Sequence, residues 1–296
     1  MRKIIAKSLV GVLAGTALAV ITGCNTNSSP PITLVFPSRS DSTDLQQKAD
    51  AVAKILSKES GLDIKAKVAD ETAAVESLNA NQADIAFLGS RGALKAEKLT
   101  KAKMYLAEVR PAYSGGQTYN SIFVVPKDSK LTDLKSLKGK RMAFTSPTSG
   151  SGFIFPVSKL ITEKLVPSKE KLDQFFGKVT YGGNYGKALQ SVLRGQADAA
   201  AVSEYAMSPP HITAAEAKNL KILYKISGVP AHGVVIDDDV SEPVREKVIN
   251  ALLKLNSGSN NELLKSLYNS TELVKVDHDK HLAPMSKALA SIGMEP

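Results

Sequence analysis

Asn81-Gln82-Ala83-Asp84-Ile85-Ala86-Phe87-Leu88-Gly89-Ser90-Arg91 packs a chain reversal, a wholly apolar run and a small-residue loop into one short stretch. A run such as Asp84 to Leu88, bounded by turn residues, reads as a buried strand. The preceding Thr72 to Gln82 and the following Gly92 to Leu99 have helical spacing. Further out, Ile32 to Phe36 is a short apolar strand and Ile64 to Val68 alternates as a strand does. Between them Asp44 to Ser60 carries Leu45, Ala49, Val52, Ala53, Ile55 and Leu56 at helical spacing, with Gly61 as its stop. This strand-helix alternation implies a mainly parallel sheet with helices on its faces.

A second series of the same kind runs from Arg141–Thr145 (strand) and Phe153–Leu165 (helix) through Lys178–Tyr181, Gly186–Leu193, Asp198–Val202 and Lys221–Ile226. Ser121 to Val125 precedes it as a strand ending in Pro126-Lys127-Asp128-Ser129, which reads as a crossing point. Gly233 to Ile236 follows it, with helices Pro243 to Leu255 and Asn261 to Tyr268. The expected architecture is two α/β lobes with a cleft between them: residues 32–122 and 231–296 in the first lobe, 123–230 in the second. Gln82-Ala83-Asp84 recurs as Gln196-Ala197-Asp198, 114 residues on. This is either a duplicated unit or two turns that converged. If duplicated, the loops after the two strands, Gly89-Ser90-Arg91 and Ser203-Glu204-Tyr205, face one cleft, because ligands of open α/β sheets bind beyond the carboxyl ends of the strands.

The first residues set the compartment. Arg2, Lys3 and Lys7 precede an apolar run from Ser8 to Ile21, and Ile21-Thr22-Gly23 places small residues directly before Cys24. The run is short for a membrane span and reads as a signal peptide over residues 1–23. Cys24, the single cysteine of 296 residues, stands where lipid transfer needs a thiol, so residues 24–31 read as a lipidated flexible tether. A chain with that cysteine lipidated has no thiol left for disulfides. Of the formal charge of +9, three units belong to Arg2, Lys3 and Lys7, leaving +6 on the mature chain. The lysines are spread rather than clustered, which together with export argues against nucleic acid and leaves an anionic ligand or membrane surface.

The main chemical motif is Thr145-Ser146-Pro147-Thr148-Ser149-Gly150-Ser151-Gly152-Phe153, between a strand and a helix. Glycines let N–H groups turn inward, Ser149 and Ser151 add hydroxyl donors, and the helix start adds a positive dipole end. The segment reads either as an anion cradle or as a helix cap with nothing bound. It lacks the Gly-Lys-Ser/Thr ending of a P-loop and the spacing of a nucleophile elbow.

From Ile32 onward the chain resembles the phosphonate/phosphite-binding group of ABC-importer substrate-binding proteins, which have the type II periplasmic-binding-protein fold. The resemblance rests on Gln82 to Gly89, Tyr119, Lys127-Asp128-Ser129, Pro147 to Pro156 and Gln196-Ala197-Asp198. It implies that Ser149, Gly150 and Ser151 bind a phosphorus oxyanion. Gly150 departs from the usual Ser-Thr-Ser and removes one hydroxyl. The resemblance also brings in Tyr119, Glu71 and Thr72 in place of a second tyrosine, Glu204, and His232 where aminophosphonate binders carry an aspartate. Ser90 and Arg91 are candidates from their place after a strand.

The implied function is an extracytoplasmic, lipid-anchored, monomeric receptor that closes on its ligand and delivers it to an ABC permease, with no cofactor, metal or catalysis. Phosphonate, phosphite, phosphate and a phosphorylated organic molecule or vitamin all stay open as ligands. A secreted phosphoester hydrolase is the rival class, but neither His211 nor His232 is placed by sequence as a base for Ser149 or Ser151. The cluster Asp277-His278-Asp279-Lys280-His281 lacks recognised metal-ligand spacing and reads as a polar cap.

Overall fold

The structure, a computed structural model, describes residues 30–38, 44–111 and 116–296. The leader over residues 1–23, Cys24 and all but the end of the tether lie outside the described residues. Among the described residues no helix is long and apolar enough to cross a membrane.

The chain begins with β1 (Ile32–Pro37), α1 (Leu45–Ser60), β2 (Ile64–Ala69), α2 (Glu71–Asn79), β3 (Ile85–Leu88), α3 (Ser90–Thr100) and β4 (Lys103–Val109). It continues through β5 (Thr118–Pro126), β6 (Arg141–Phe144), a wide helical turn Gly150–Ile154 leading into α4 (Phe155–Thr162), α5 (Leu172–Phe175), β7 (Lys178–Tyr181), α6 (Tyr185–Leu193), β8 (Ala199–Ser203), α7 (Ala214–Ala217) and β9 (Leu220–Pro230). It closes with β10 (Gly233–Ile236), α8 (Glu242–Leu253), α9 (Asn260–Tyr268), β11 (Glu272–Lys275) and α10 (His278–Ser291).

These strands form two mixed sheets, ordered β11-β4-β10-β3-β1-β2 and β7-β6-β8-β5-β9. Each has a parallel part made of the strand-helix units, β2-β1-β3 and β7-β6-β8. The remaining ladders are antiparallel, because their strands carry the chain between sheets or arrive after it has returned. All of β5 belongs to the second sheet: Thr118 to Pro126 pair with β9 and Ser121 to Val124 with β8. The chain therefore changes sheet between Val109 and Thr118 and again between Pro230 and Gly233. The first change lies upstream of the Pro126 segment read as a crossing. Pro126 ends a strand because it has no N–H to donate, but the chain stays in the same sheet.

The two Gln-Ala-Asp turns have the same hydrogen bonds. Asp84 Oδ2 accepts from Thr33 N at 2.7 Å while Asp84 N donates to Thr33 O. Asp198 Oδ2 likewise accepts from Arg141 N at 2.8 Å while Asp198 N donates to Arg141 O. Each aspartate fastens its strand to the start of the neighbouring one. Upstream, Ser77 and Ser191 each accept with their carbonyls from the following Gln and Ala N–H groups. The 114-residue offset also matches the helix N-caps, Asp70 with Asn184, whose side chains accept from Ala73 N and Lys187 N. It follows that the first residues of α2 and α6, Glu71 and Tyr185, hold equivalent places.

Apolar spacing explains the core. Leu45, Ala49, Val52, Ala53 and Leu56 form the buried face of α1, and Gly61, at φ 70°, ends the helix by donating to Ser57 O. That face packs with α8, α9 and one face of the first sheet around Leu34, Phe36 and Phe87. A larger cluster joins the other face of the first sheet to Phe144, Phe153, Ile154 and Leu160 of the second, with Leu282, Met285 and Leu289 of α10 between them. The terminal helix is thus packed against both sheets.

Candidate functional site

Between the sheets lies a cleft of about 280 Å³. Gly89, Ser90 and Arg91 from the β3–α3 junction and Glu71 from α2 form one side, with His232 beside them. Thr145, Ser146, Thr148, Ser149 and Gly150 after β6, with Asn184 and Tyr185 at the start of α6, form the other. Tyr119 from β5, Gly183 before α6 and Met285 from α10 complete the lining.

The second-sheet side offers mainly donors. Ser149 caps the wide turn, its Oγ accepting from Gly152 N at 3.1 Å and its carbonyl accepting from Ile154 N at 2.9 Å. The first N–H groups of such a turn have no acceptor within it and point outward, beside the hydroxyls of Ser149 and Thr148. Gly152 is required here, because a Cβ would fall 2.2 Å from Thr145 Oγ1. At Gly150 a Cβ would meet only the Met285 methyl, at 3.0 Å, so Met285 occupies the side where a larger residue would project. Ser151 is fully buried, and its Oγ is 2.8 Å from Tyr185 Oη. Its hydroxyl also bonds that of Tyr119, so it acts on the cleft by holding both tyrosines.

The first-sheet side is mixed. Glu71 Oε1 accepts from Gly89 N at 2.8 Å, and Cβ atoms on Gly89 or Gly92 would lie 2.9 and 2.6 Å from that oxygen. Two glycines thus admit a carboxylate to the N-terminus of α3, where the helix dipole favours it. Arg91 is the permanent cation among the described residues of the lining, and its buried Nε has no hydrogen-bond partner there. Tyr119 is 6% exposed, and burial, reinforced by Tyr185, drives its pKa up, so it stays a phenol. Its ring lies 6.4 Å from His232 at 7° and 5.6 Å from Tyr205.

Seven of the ten residues read from sequence line this cleft: Glu71, Ser90, Arg91, Tyr119, Ser149, Gly150 and His232. Ser151 lies directly behind it. Thr72 faces an adjoining chamber of about 240 Å³, which shares Glu71, Arg91 and Thr148 with the cleft. Glu204 does not line the cavity. Its carboxylate is taken by Asn120 Nδ2 at 2.6 Å and Lys225 Nζ at 2.5 Å. Burial would raise its pKa, but these two donors hold it below the usual value. Gly183, Asn184, Tyr185 and Met285 lie outside every motif read from sequence, and Thr148 lay within the hydroxyl loop without being chosen as a ligand. The 114-residue offset, carried from Asp70-Glu71, points to Asn184-Tyr185.

A family model described as "ABC transporter, phosphonate, periplasmic substrate-binding protein" matches residues 34–282. The chain belongs to this family. It is 27% identical over 224 residues to the phosphate-import protein PhnD of Mycolicibacterium smegmatis, covering 73% of this chain and 69% of that one. It is 26% identical over 199 residues to the phosphonates-binding periplasmic protein of Escherichia coli, covering 65% of this chain; the match spans just over half, 56%, of that relative. The fold is similar to that of PhnD1 from Prochlorococcus marinus, solved in complex with methylphosphonate. The TM-score is 0.68 at 20% identity, covering 88% of this chain and 98% of that one.

Family membership makes the chain the substrate-binding component of an importer, a class that works outside the cytoplasm. The Asp277–His281 segment has local roles. Asp277 caps α10 by accepting from Lys280 N, and His278 Nδ1 accepts from Met104 N at 2.7 Å. His278 Nε2 lies 3.0 Å from Glu97, and Lys103 bridges Glu97 and Asp279. Glu97, His278 and Asp279 are close enough to share an ion, but the Lys103 ammonium already supplies their positive charge.

Proposed function

We propose that this chain captures a small phosphorus oxyanion, of the phosphonate, phosphite or phosphate kind, in the cleft between its two sheets and passes it to an ABC permease. The observation that carries this reading is the helix-start loop Thr148-Ser149-Gly150 facing Arg91 across the cavity. A tetrahedral oxyanion offers acceptors on all sides, and this arrangement supplies hydroxyl and N–H donors on one side and a guanidinium on the other. The two relatives' names, phosphate import and phosphonate binding, support the same class.

In this proposal the sheets act as two lobes that close by bending where the chain returns between them, at residues 230–233. The protein acts as a monomer held at the membrane by a lipid on Cys24. A phosphorylated organic ligand is a second reading, favoured by the chamber continuous with the cleft at Glu71, Arg91 and Thr148. Calorimetry on the soluble chain beginning after Cys24, with phosphite, phosphate, methylphosphonate and organic phosphomonoesters, separates the two. The expected result is saturable one-to-one binding of the small oxyanions without turnover. Binding of the esters alone would move the assignment to the second reading, and hydrolysis of an ester would replace receptor by enzyme.

A further inference from the structure

Glu108, on β4, is fully buried behind the cleft and was not singled out by any motif. Its Oε1 is 3.2 Å from His232 Nδ1 and 3.2 Å from Arg110 Nε, and its Oε2 accepts from Ser270 Oγ at 2.7 Å. Arg110 is a permanent cation only 5% exposed. A guanidinium buried to that degree needs a counter-charge, and Glu108 is that anion. An ionised carboxylate only accepts, so its charge 3.2 Å from His232 Nδ1 favours the tautomer with the proton on that nitrogen. Nε2 lies on the opposite edge of the ring, 3.3 Å from where a Cβ on Gly89 would project, beside another residue of the cavity lining. The parallel ring of Tyr119 sets the plane.

We infer that Glu108 is a positioning residue that holds His232 in its Nδ1–H form, so that Nε2 meets one oxygen of the bound ligand across a single shared proton. This rests on the phosphorus-oxyanion reading of the cleft and narrows it. The favoured ligand class is an oxyanion with an ionisation near neutral pH, such as a phosphonate or a phosphate monoester. When the ligand arrives as a dianion, solvent supplies the proton; when it arrives as a monoanion, the proton is its own. No bond to phosphorus forms or breaks.

The other charged or titratable groups around the ring are Arg110, Glu71 on α2, Arg91 on α3, Tyr119 on β5 and His281 on α10. Arg110 is committed to Glu108, and Glu71 accepts from Gly89 N. Tyr119 is held as a phenol by burial. His281, whose pKa burial drives down, lies with Nε2 3.1 Å from Ala231 O and adds no charge near neutral pH. Arg91 favours the ligand's negative charge without exchanging a proton.

The test counts protons. Methylphosphonate is titrated calorimetrically in buffers of differing ionisation enthalpy, above the probe's second ionisation. Wild type should take up about one proton per ligand, falling towards zero below that ionisation. His232→Gln should bind roughly tenfold more weakly with uptake near zero. Zero uptake by wild type, or full uptake by His232→Gln, overturns the proposal. Nitrogen NMR of the ligand-free protein reads the tautomer directly: Nδ1–H in wild type, shifting towards Nε2–H in Glu108→Gln. An Nε2–H ring in wild type would overturn it whatever binds. If Glu108→Gln does not fold, the wild-type tautomer and the two proton counts still decide. If methylphosphonate does not bind, the count is repeated with inorganic phosphate; failure of both, and of phosphite, sinks the oxyanion reading and the shared proton with it, while the tautomer still decides the role of Glu108.

Discussion

Ser149 and Ser151 have the same chemistry but different situations. Ser149 both lines the cleft and caps Gly152 N, so Ser149→Ala should weaken oxyanion binding roughly ten- to hundredfold and cost about 0.5–2 kcal/mol of stability. Ser151 lies behind the cleft and bonds the hydroxyls of both Tyr185 and Tyr119, so Ser151→Ala should lower affinity at least as much as Tyr185→Phe. The double variant should do little more than Ser151→Ala, because the Ser151–Tyr185 bond is already lost in that single variant. Additive losses in titration calorimetry would show that Ser151 binds on its own account. The hydroxyl loop was visible in sequence as a glycine- and serine-rich strand-helix junction, but composition alone left it open as an anion cradle or a plain helix cap. Tyr185 could be reached only through the 114-residue offset, and Met285 not at all, since a tyrosine at a helix start and a methionine within a helix look the same whether they line a cleft or fill a core.

The two Gln-Ala-Asp turns make one bond in two electrostatic settings. Asp84 is pushed above its ordinary pKa by burial, with Asp237 adding to the effect, whereas Asp198 is held below it by Arg141. For Asp84 the folded state holds its proton more tightly than the unfolded state. Stability therefore rises as pH falls from the raised value towards the unfolded one. For Asp198 the contribution is present above the unfolded pKa and is lost as pH falls through the depressed one. Melting temperatures from pH 7 down to 3 should therefore diverge. Wild type should gain on Asp84→Asn and lose its lead over Asp198→Asn, and curves moving in the same direction would contradict this. At this scale most strands and helices were readable from period and stops. β4 and β11 were not, because Lys103, Glu108 and Glu272 break the apolar alternation. Glu108 is buried through pairing with Arg110, which spacing cannot reveal.

Across the whole molecule, α10 packs against both sheets through Leu282, Met285 and Leu289, and Met285 also reaches the cleft. Met285→Ala should cost about 2–5 kcal/mol, read by denaturant unfolding, and should leave space over Gly150 for a larger side chain. Closure on the ligand should lower the radius of gyration in solution scattering, and an unchanged radius at saturation would mean that the cleft is already closed. The two-sheet plan was legible because each strand-helix series stands apart in the chain. The return near residue 230 was legible too, but the first change of sheet was not, since the proline that closes β5 marks the end of a strand and not a crossing. The claim on which the rest depends is that the phosphorus oxyanion sits between Ser149 and Arg91. Its most direct measurement is the dissociation constant of methylphosphonate for wild type and for the folded Ser149→Ala/Arg91→Ala double variant. A loss of at least about a hundredfold is expected with circular dichroism unchanged, and wild-type affinity in the double variant would place the ligand elsewhere.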